Sequence, residues 1–243
     1  MGRLDGKVAI ITGGANGMGE THSRLFVEEG AKVVLTDIDT EKGQALAQEL
    51  GENAHFVKHD VASEEDWKQV VKETVDVFGK IDVLVNNAGV STVLSVEHSS
   101  LDDYMKMVGI NQVSCFLGMK YVIPSMKEQE NGSIVNISSI NGLNGGAIGY
   151  TDTKFAVRGM TKAAAKELAQ YKIRVNSVHP GIIETPMVKN SEAYDQIVQM
   201  INFVPMKRMA QPEEISNLVL FLASDESSYS TGSEFIADGG ILA

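Results

Sequence analysis

Lys7-Val8-Ala9-Ile10-Ile11-Thr12-Gly13-Gly14-Ala15-Asn16-Gly17-Met18-Gly19 is the stretch on which the reading of this sequence turns. A short apolar, β-rich run ends abruptly in glycines, and a helix-length segment carrying Leu25, Phe26 and Gly30 follows. Glycine permits a tight turn with positive φ and lets the backbone approach a ligand closely. The N–H groups that open the next helix would then face a pyrophosphate with the positive end of the helix dipole. Gly13, Gly17 and Gly19 are spaced G-x-x-x-G-x-G rather than G-x-G-x-x-G, so taken alone they fit a plain turn equally well. The strand before them and the amphipathic helix after them favour the phosphate-binding turn.

The same alternation runs outward along the chain. Residues 7–12, 32–36, 53–58, 81–86, 133–138, 174–178 and 235–237 are short apolar runs, separated by helix-forming stretches. Strands apolar on both sides, with helices between them, predict a parallel sheet covered on both faces. Over 63–78, Trp67, Val70, Val71, Val75 and Phe78 recur at helical spacing, and Ser63 with Asp66 resembles a capping box. Gly51, Gly79 and Gly132 fall where helices would hand over to strands. The expectation is one α/β domain over 1–243, a Rossmann-type doubly wound sheet of seven strands, binding ligands at the strands' carboxyl ends.

Composition narrows the function. The 243 residues are 43% apolar and 22% charged, ordinary for a globular protein. A net charge of −11, with its 21 Lys and Arg residues unclustered, argues against a nucleic-acid partner. Cys115 is the sole cysteine, read as a small apolar helix residue, and excludes an intrachain disulfide. His22, His55, His59, His98 and His179 form no ligand-spaced group, so no metal is expected. The opening Met1-Gly2-Arg3-Leu4-Asp5-Gly6 has no apolar leader core, and no run is long enough to span a membrane; a cytoplasmic location is the expectation.

Two features carry chemistry. Asp37, 18 positions after Gly19, ends the second run, where a carboxylate accepts hydrogen bonds from adenosine ribose hydroxyls and repels a 2′-phosphate. No arginine follows it in Ile38-Asp39-Thr40, and Lys32 precedes the strand, so NAD is expected over NADP. Asp39 reads instead as the cap of the helix carrying Glu41, Lys42 and Leu46. The second feature is Tyr150-Thr151-Asp152-Thr153-Lys154, which stacks a phenol and an ammonium on one helix face at i and i+4. A phenol that normally titrates near pH 10 becomes a usable acid–base group when a neighbouring ammonium favours its anion. The spacing alone is common; its position, opening the helix after the fifth strand, gives it meaning.

Thr12-Gly13-x-x-x-Gly17-x-Gly19, Asn86-Asn87-Ala88-Gly89, Ser138-Ser139, Tyr150-x-x-x-Lys154 and Pro180-Gly181 occur in that order, and together they resemble the short-chain dehydrogenase/reductase superfamily. The likeness runs from Gly6-Lys7-Val8 to Asp238-Gly239-Gly240. Within it, Arg3-Leu4-Asp5-Gly6-Lys7-Val8-Ala9, Phe26-Val27-Glu28-Glu29-Gly30-Ala31 and Val178-His179-Pro180-Gly181 look most like bacterial secondary-alcohol and hydroxysteroid dehydrogenases. The resemblance implies a catalytic set of Asn111, Ser139, Tyr150 and Lys154. Tyr150 would exchange the proton with the substrate oxygen, assisted by Lys154, which also meets the nicotinamide ribose. Ser139 would polarise the substrate oxygen, and Asn111 would hold a water linking Lys154 to solvent. It implies NAD contacts at Gly13, Asn16, Gly17, Met18, Gly19 and Asp37; at Asp60 and Val61 beside adenine; and at Asn87, Ala88 and Gly89. Pro180, Gly181, Ile183 and Thr185 would complete the nicotinamide end. Val108-Gly109-Ile110-Asn111-Gln112-Val113-Ser114 is poor in strong helix formers and predicts a kink at Asn111.

Two departures stand out. The 11 positions between Ser139 and Tyr150 are fewer than the family usually has, and Ser138 would give 12; Ser139 is preferred because it stands three before Gly142. The glycine-rich segment 141–149 is therefore a trimmed loop beside the substrate. Met18 stands where many relatives have a branched aliphatic, a neutral swap. The substrate lid is expected over 185–210, with Tyr194, Ile197, Val198 and Ile201 on one helical face and methionines around them, suited to a small apolar ketone or alcohol. The small residues of the helix after Tyr150 suit close helix packing, and the resemblance implies a homotetramer. A hydroxysteroid dehydrogenase, a 3-oxoacyl carrier-protein reductase and a non-catalytic NAD-sensing regulator are the alternatives.

Overall fold

Alternate residues of the first strand enter opposite cores, and that alternation sets the architecture. The computed structural model describes residues 2–191 and 193–243; Met1, which begins the expected leaderless segment, and Glu192, within the expected lid, lie outside the described residues. The chain runs β1 (Val8–Thr12), α1 (Gly17–Glu28), β2 (Lys32–Asp37), α2 (Thr40–Leu50), β3 (Ala54–Lys58), α3 (Glu64–Phe78) and β4 (Val83–Asn86). It continues with α4 (Leu101–Val108), α5 (Ser114–Glu128), β5 (Gly132–Ile137), α6 (Tyr150–Leu168) and β6 (Ile173–Pro180). Last come α7 (Pro186–Lys189), α8 (Tyr194–Met200), α9 (Pro212–Ala223) and β7 (Glu234–Ala237).

The seven strands form one sheet in the order β3-β2-β1-β4-β5-β6-β7, every neighbouring pair parallel. On one face Ala9, Ile11, Val33, Leu35, Val83 and Val85 pack against Phe26 of α1, Leu46 of α2 and Ile215, Val219 and Leu220 of α9. On the other, Ile10, Val34, Leu84 and Ile134 pack against Trp67 and Val70 of α3, Leu117 and Val122 of α5, and Ala165 and Leu168 of α6. The period of two along each strand thus fills both cores. Among the described residues, no helix is long and apolar enough to cross a membrane.

Local signals act largely as the sequence suggests. The Asp39 side chain caps α2 by accepting from Lys42 N, and Ser63 caps α3 by accepting from Asp66 N. The capping box is incomplete: Asp66 accepts from the N–H of Asp60 and the Ser63 hydroxyl, and the Ser63 N–H goes to Asp60 O. Gly79 ends α3 in the left-handed region at φ 84°. Gly132 is no helix cap; it opens β5, while Glu130 takes the left-handed turn at φ 48°. The physical reason for a glycine at 132 is space, since a Cβ there would lie 2.6 Å from the Met126 sulfur.

One buried carboxylate locks the amino ends of the central strands. Asp82 is 4% exposed; its Oδ2 accepts from Val8 N at 2.7 Å and from Lys80 Nζ at 2.9 Å. Its own N–H bonds Val8 O and its carbonyl accepts from Ser133 N, so it spans β1, β4 and β5. Replacing Asp82 by Ala strands the Val8 N–H and is expected to lower stability by about 1–3 kcal/mol, read as a lower urea midpoint at unchanged slope.

Candidate active site

Between β1 and β4 the strand order reverses, and the crevice at the carboxyl ends on either side of that point is where an open α/β sheet binds ligands. Gly13 at φ 62° and Gly17 at φ 54° form the turn after β1. A Cβ on Gly19 would overlap the Gly13 carbonyl oxygen, so α1 packs onto the turn only because that side chain is missing. The Thr12 hydroxyl, which the sequence reading did not single out, accepts from Asn87 N and Ala88 N, both at 3.0 Å. Asn87 Nδ2 donates back to Thr12 O at 2.9 Å, while its Oδ1 is buried with no partner among the described residues. Asp37 is fixed by two backbone donors, Ala15 N to Oδ2 at 3.3 Å and Asp39 N to Oδ1 at 3.0 Å.

These groups surround a cleft of about 440 Å³. Of the residues expected to meet a dinucleotide, Gly13, Asn16, Gly17, Met18, Asp37, Asp60, Val61, Asn87, Ala88, Gly89 and Thr185 line it; Gly19 shapes the turn from behind. Pro186 and Met187, from the expected lid, also line it, as do Ile38, His59, Val90, Lys106 and Ile110, which the sequence does not mark as contacts. An adjoining cavity of about 110 Å³ shares Met18, Asn87, Gly89, Thr185 and Met187, and adds Ser138, Ser139, Tyr150, Lys154, Pro180, Gly181 and Ile183.

Tyr150 is the first residue of α6, and Gly149 before it turns the chain at φ 82°. Lys154 is buried; its Nζ donates to Ile137 O at 2.9 Å and sits 5.6 Å from the centre of the Tyr150 ring. Ser138 Oγ donates to Lys154 O at 3.0 Å and so is committed to holding the helix. A Cβ on Gly142 would lie 2.7 Å from that hydroxyl, so the loop passes this close because the side chain is missing, and Ser139 lines the cavity beside it. Among the described residues Ser139 Oγ accepts only from Asn141 N, leaving its proton for another group.

Asn111 sits inside a π-helical turn, Gly109–Val113, between α4 and α5: the expected kink is a π-bulge. It does not line either cavity. Its side chain accepts from Val90 N and donates to Val90 O, and a Cβ on the intervening Gly89 would lie 3.4 Å from Asn111 Oδ1 and 3.6 Å from Lys154 Nζ. Its carbonyl accepts a weak bond from the buried Cys115 thiol, whose pKa burial raises. His179, to which the sequence assigns no contact in the site, bonds Ser139 O at 3.0 Å through Nδ1 and Ser177 Oγ at 2.9 Å through Nε2. Burial lowers its pKa and keeps the imidazole neutral, with Nδ1 as the donor.

Known proteins resemble the chain along its length. A family model described as enoyl-(acyl carrier protein) reductase matches residues 13–242. The chain is 49% identical over 244 residues to a 3-alpha-(or 20-beta)-hydroxysteroid dehydrogenase of Mycobacterium tuberculosis, covering 100% of this chain and 92% of that protein. It is 44% identical over 249 residues to a cyclopentanol dehydrogenase of Comamonas testosteroni, covering 100% of both. A third relative, a 2,5-dichloro-2,5-cyclohexadiene-1,4-diol dehydrogenase of Sphingobium indicum, is 41% identical over 243 residues, spanning 98% of this chain and 97% of that one. The fold and these matches place the chain in the short-chain dehydrogenase/reductase superfamily, a family of oxidoreductases.

His59 makes the cleft acid-sensitive. It packs edge-on against Trp67 at 4.5 Å, bonds Thr36 Oγ1 through Nδ1, and has a buried Nε2 with no partner among the described residues. Burial pushes its pKa from 6.5 down to about 4, partly opposed by the charges of Asp66 and Asp60. The unfolded chain therefore binds the proton first as pH falls. The stability that neutral His59 provides is complete above pH 6.5 and drains away between 6.5 and about 4. A His59→Gln variant is expected to lose less unfolding free energy than the parent across that interval in urea titrations.

Proposed function

We propose that this chain is an NAD-dependent oxidoreductase interconverting a small apolar ketone and its secondary alcohol, with Tyr150 as the general acid–base. The observation that carries the reading is continuity. One cavity holds Tyr150, Lys154 and Ser139, and it opens into the cleft that ends at the anchored carboxylate of Asp37. A nicotinamide dinucleotide suits this cleft: the glycine turn has the close approach its pyrophosphate needs, and the unpartnered Asn87 Oδ1 awaits a donor. When bound, the nicotinamide supplies or accepts the hydride.

The residues of the chain do the remainder. The Ser139 hydroxyl, with its proton free, donates to the substrate oxygen and orients it toward Tyr150. Tyr150 gives its phenolic proton to that oxygen in reduction and takes it back in oxidation. The Lys154 ammonium stabilises the negative charge that develops on the phenol, and Ile137 O keeps it in place. Asn111, behind Gly89, holds Val90 and so the wall of the cleft beside Lys154; the same position serves the proposed water link.

The relatives' names, a hydroxysteroid, cyclopentanol and a cyclic diol, favour a cyclic secondary alcohol here. The lid segment supports an apolar substrate: Met187 lines both cavities, and Tyr194, Val198, Met200 and Phe203, further along it, are exposed apolar side chains. A net charge of −11 counts against docking an acidic carrier protein. The chain is read as one domain with 185–210 as its lid, acting in the cytoplasm. Exposed Phe116 on α5 and Phe155 on α6, beside Gly159, which has open space around it, support a homotetramer.

A spectrophotometric assay with NADH and a panel of cyclic ketones should show oxidation of NADH in preference to NADPH. Tyr150→Phe should cut turnover by about 10²-fold or more while leaving NADH binding measurable. A variant retaining most of the activity would remove Tyr150 from the proton step. Light scattering should give a tetramer mass; a monomer would remove that part of the reading.

A further inference from the structure

We propose that Lys42 is a second determinant of cofactor choice, offering a cation to a 2′-phosphate on the adenosine ribose and partly offsetting the repulsion from Asp37. The proposal rests on the dinucleotide reading above. Lys42 lies in the first turn of α2, and its Nζ reaches back to donate to Asn16 Oδ1 in the glycine turn at 2.8 Å. The same ammonium is 3.6 Å from Asp39 Oδ2. Asn16 and Asp37 both line the cleft, so the ammonium stands one hydrogen bond behind its rim.

The charges at that rim are unequal in freedom. Asp37 is held by the N–H groups of Ala15 and Asp39 and cannot swing away from an incoming phosphate. Asp39 already faces the Lys42 ammonium and accepts from Lys42 N. Lys42 is 63% exposed on a flexible stem, and it can exchange the Asn16 amide for a doubly charged phosphate, a better acceptor. Discrimination against the phosphorylated cofactor is therefore graded, set by the fixed Asp37 and opposed by the mobile Lys42. Removing Asp37 takes away the repulsion it fixes and leaves Lys42 beside Asp39.

Calorimetric titration of NADH and NADPH into the parent, Lys42→Ala, Asp37→Ser, the double variant and Asn16→Ala tests this, at low and high salt. Alanine at an exposed helical position should fold. Lys42→Ala is expected to weaken NADPH by about tenfold at low salt and NADH by clearly less, with the difference shrinking at high salt. Asp37→Ser should tighten NADPH, and Lys42→Ala in that background should reverse most of the gain. Asn16→Ala should not reproduce the selective loss. Equal losses for both cofactors, or no loss for either, overturn the proposal while leaving the dinucleotide reading intact if the parent binds NADH. A parent that binds neither cofactor overturns both.

Discussion

The bond from Lys154 Nζ to Ile137 O is the contact on which the site depends. A strand that ends at the carboxyl edge of a parallel sheet leaves its last carbonyls needing donors. Here the buried ammonium serves Ile137, and Ser138 Oγ returns a bond to the Lys154 carbonyl. The first turn of α6 is thereby tied at two points to the end of β5. A buried ammonium is costly unless hydrogen-bonded, so this tie and the position of the charge are one constraint. The tie continues inward through Asn86, Asn136 and Thr161, a buried chain of amide and hydroxyl groups joining β4, β5 and α6. Tyr150, one turn before Lys154, follows wherever this arrangement holds the helix.

The glycine turn applies the opposite principle at the other end of the cleft. There the chain is brought close by omitting side chains, with Gly19 under the Gly13 carbonyl and Gly13 against Ala88. Thr12 joins the two ends, its single hydroxyl oxygen receiving the N–H groups of Asn87 and Ala88 where β1 and β4 meet. The switch point of the sheet is thus a hydrogen-bonded junction as well as a change of strand order. Its unpartnered Asn87 Oδ1 lies where the cleft and the inner cavity share a wall.

The sheet was legible because its central strands, buried on both faces, carry unbroken apolar cores such as Val8-Ala9-Ile10-Ile11 and Val83-Leu84-Val85, while the edge runs carry polar residues and were read from their spacing. The kink at Asn111 could be anticipated from weak helix formers, although the π-turn itself depends on packing against Val90 and Gly89. Choosing Ser139 over Ser138 rested on Gly142, and the structure gives that spacing a cause, since Gly142 is pressed against Ser138 and Lys154. What escaped the sequence lies across elements. His179 meets Ser139 from the neighbouring strand, and nothing in residues 177–181 advertises it. Lys42 escaped because it lies beyond the residues that directly follow Asp37, yet the first turn of α2 brings its side chain back to Asn16. Gly132 misled because helix ends are often marked by glycine, while here Glu130 makes the turn and Gly132 yields to Met126.

The role given to the inner cavity is that a hydride crosses it to a carbonyl carbon held beside Tyr150. Incubating the protein with NADH dideuterated at the nicotinamide C4 and cyclopentanone, then analysing the alcohol by mass spectrometry, observes that event itself. The account predicts one deuterium, bound to the carbinol carbon, and stoichiometric oxidation of NADH. An unlabelled product, or no alcohol at all across a wider range of cyclic ketones, would contradict it.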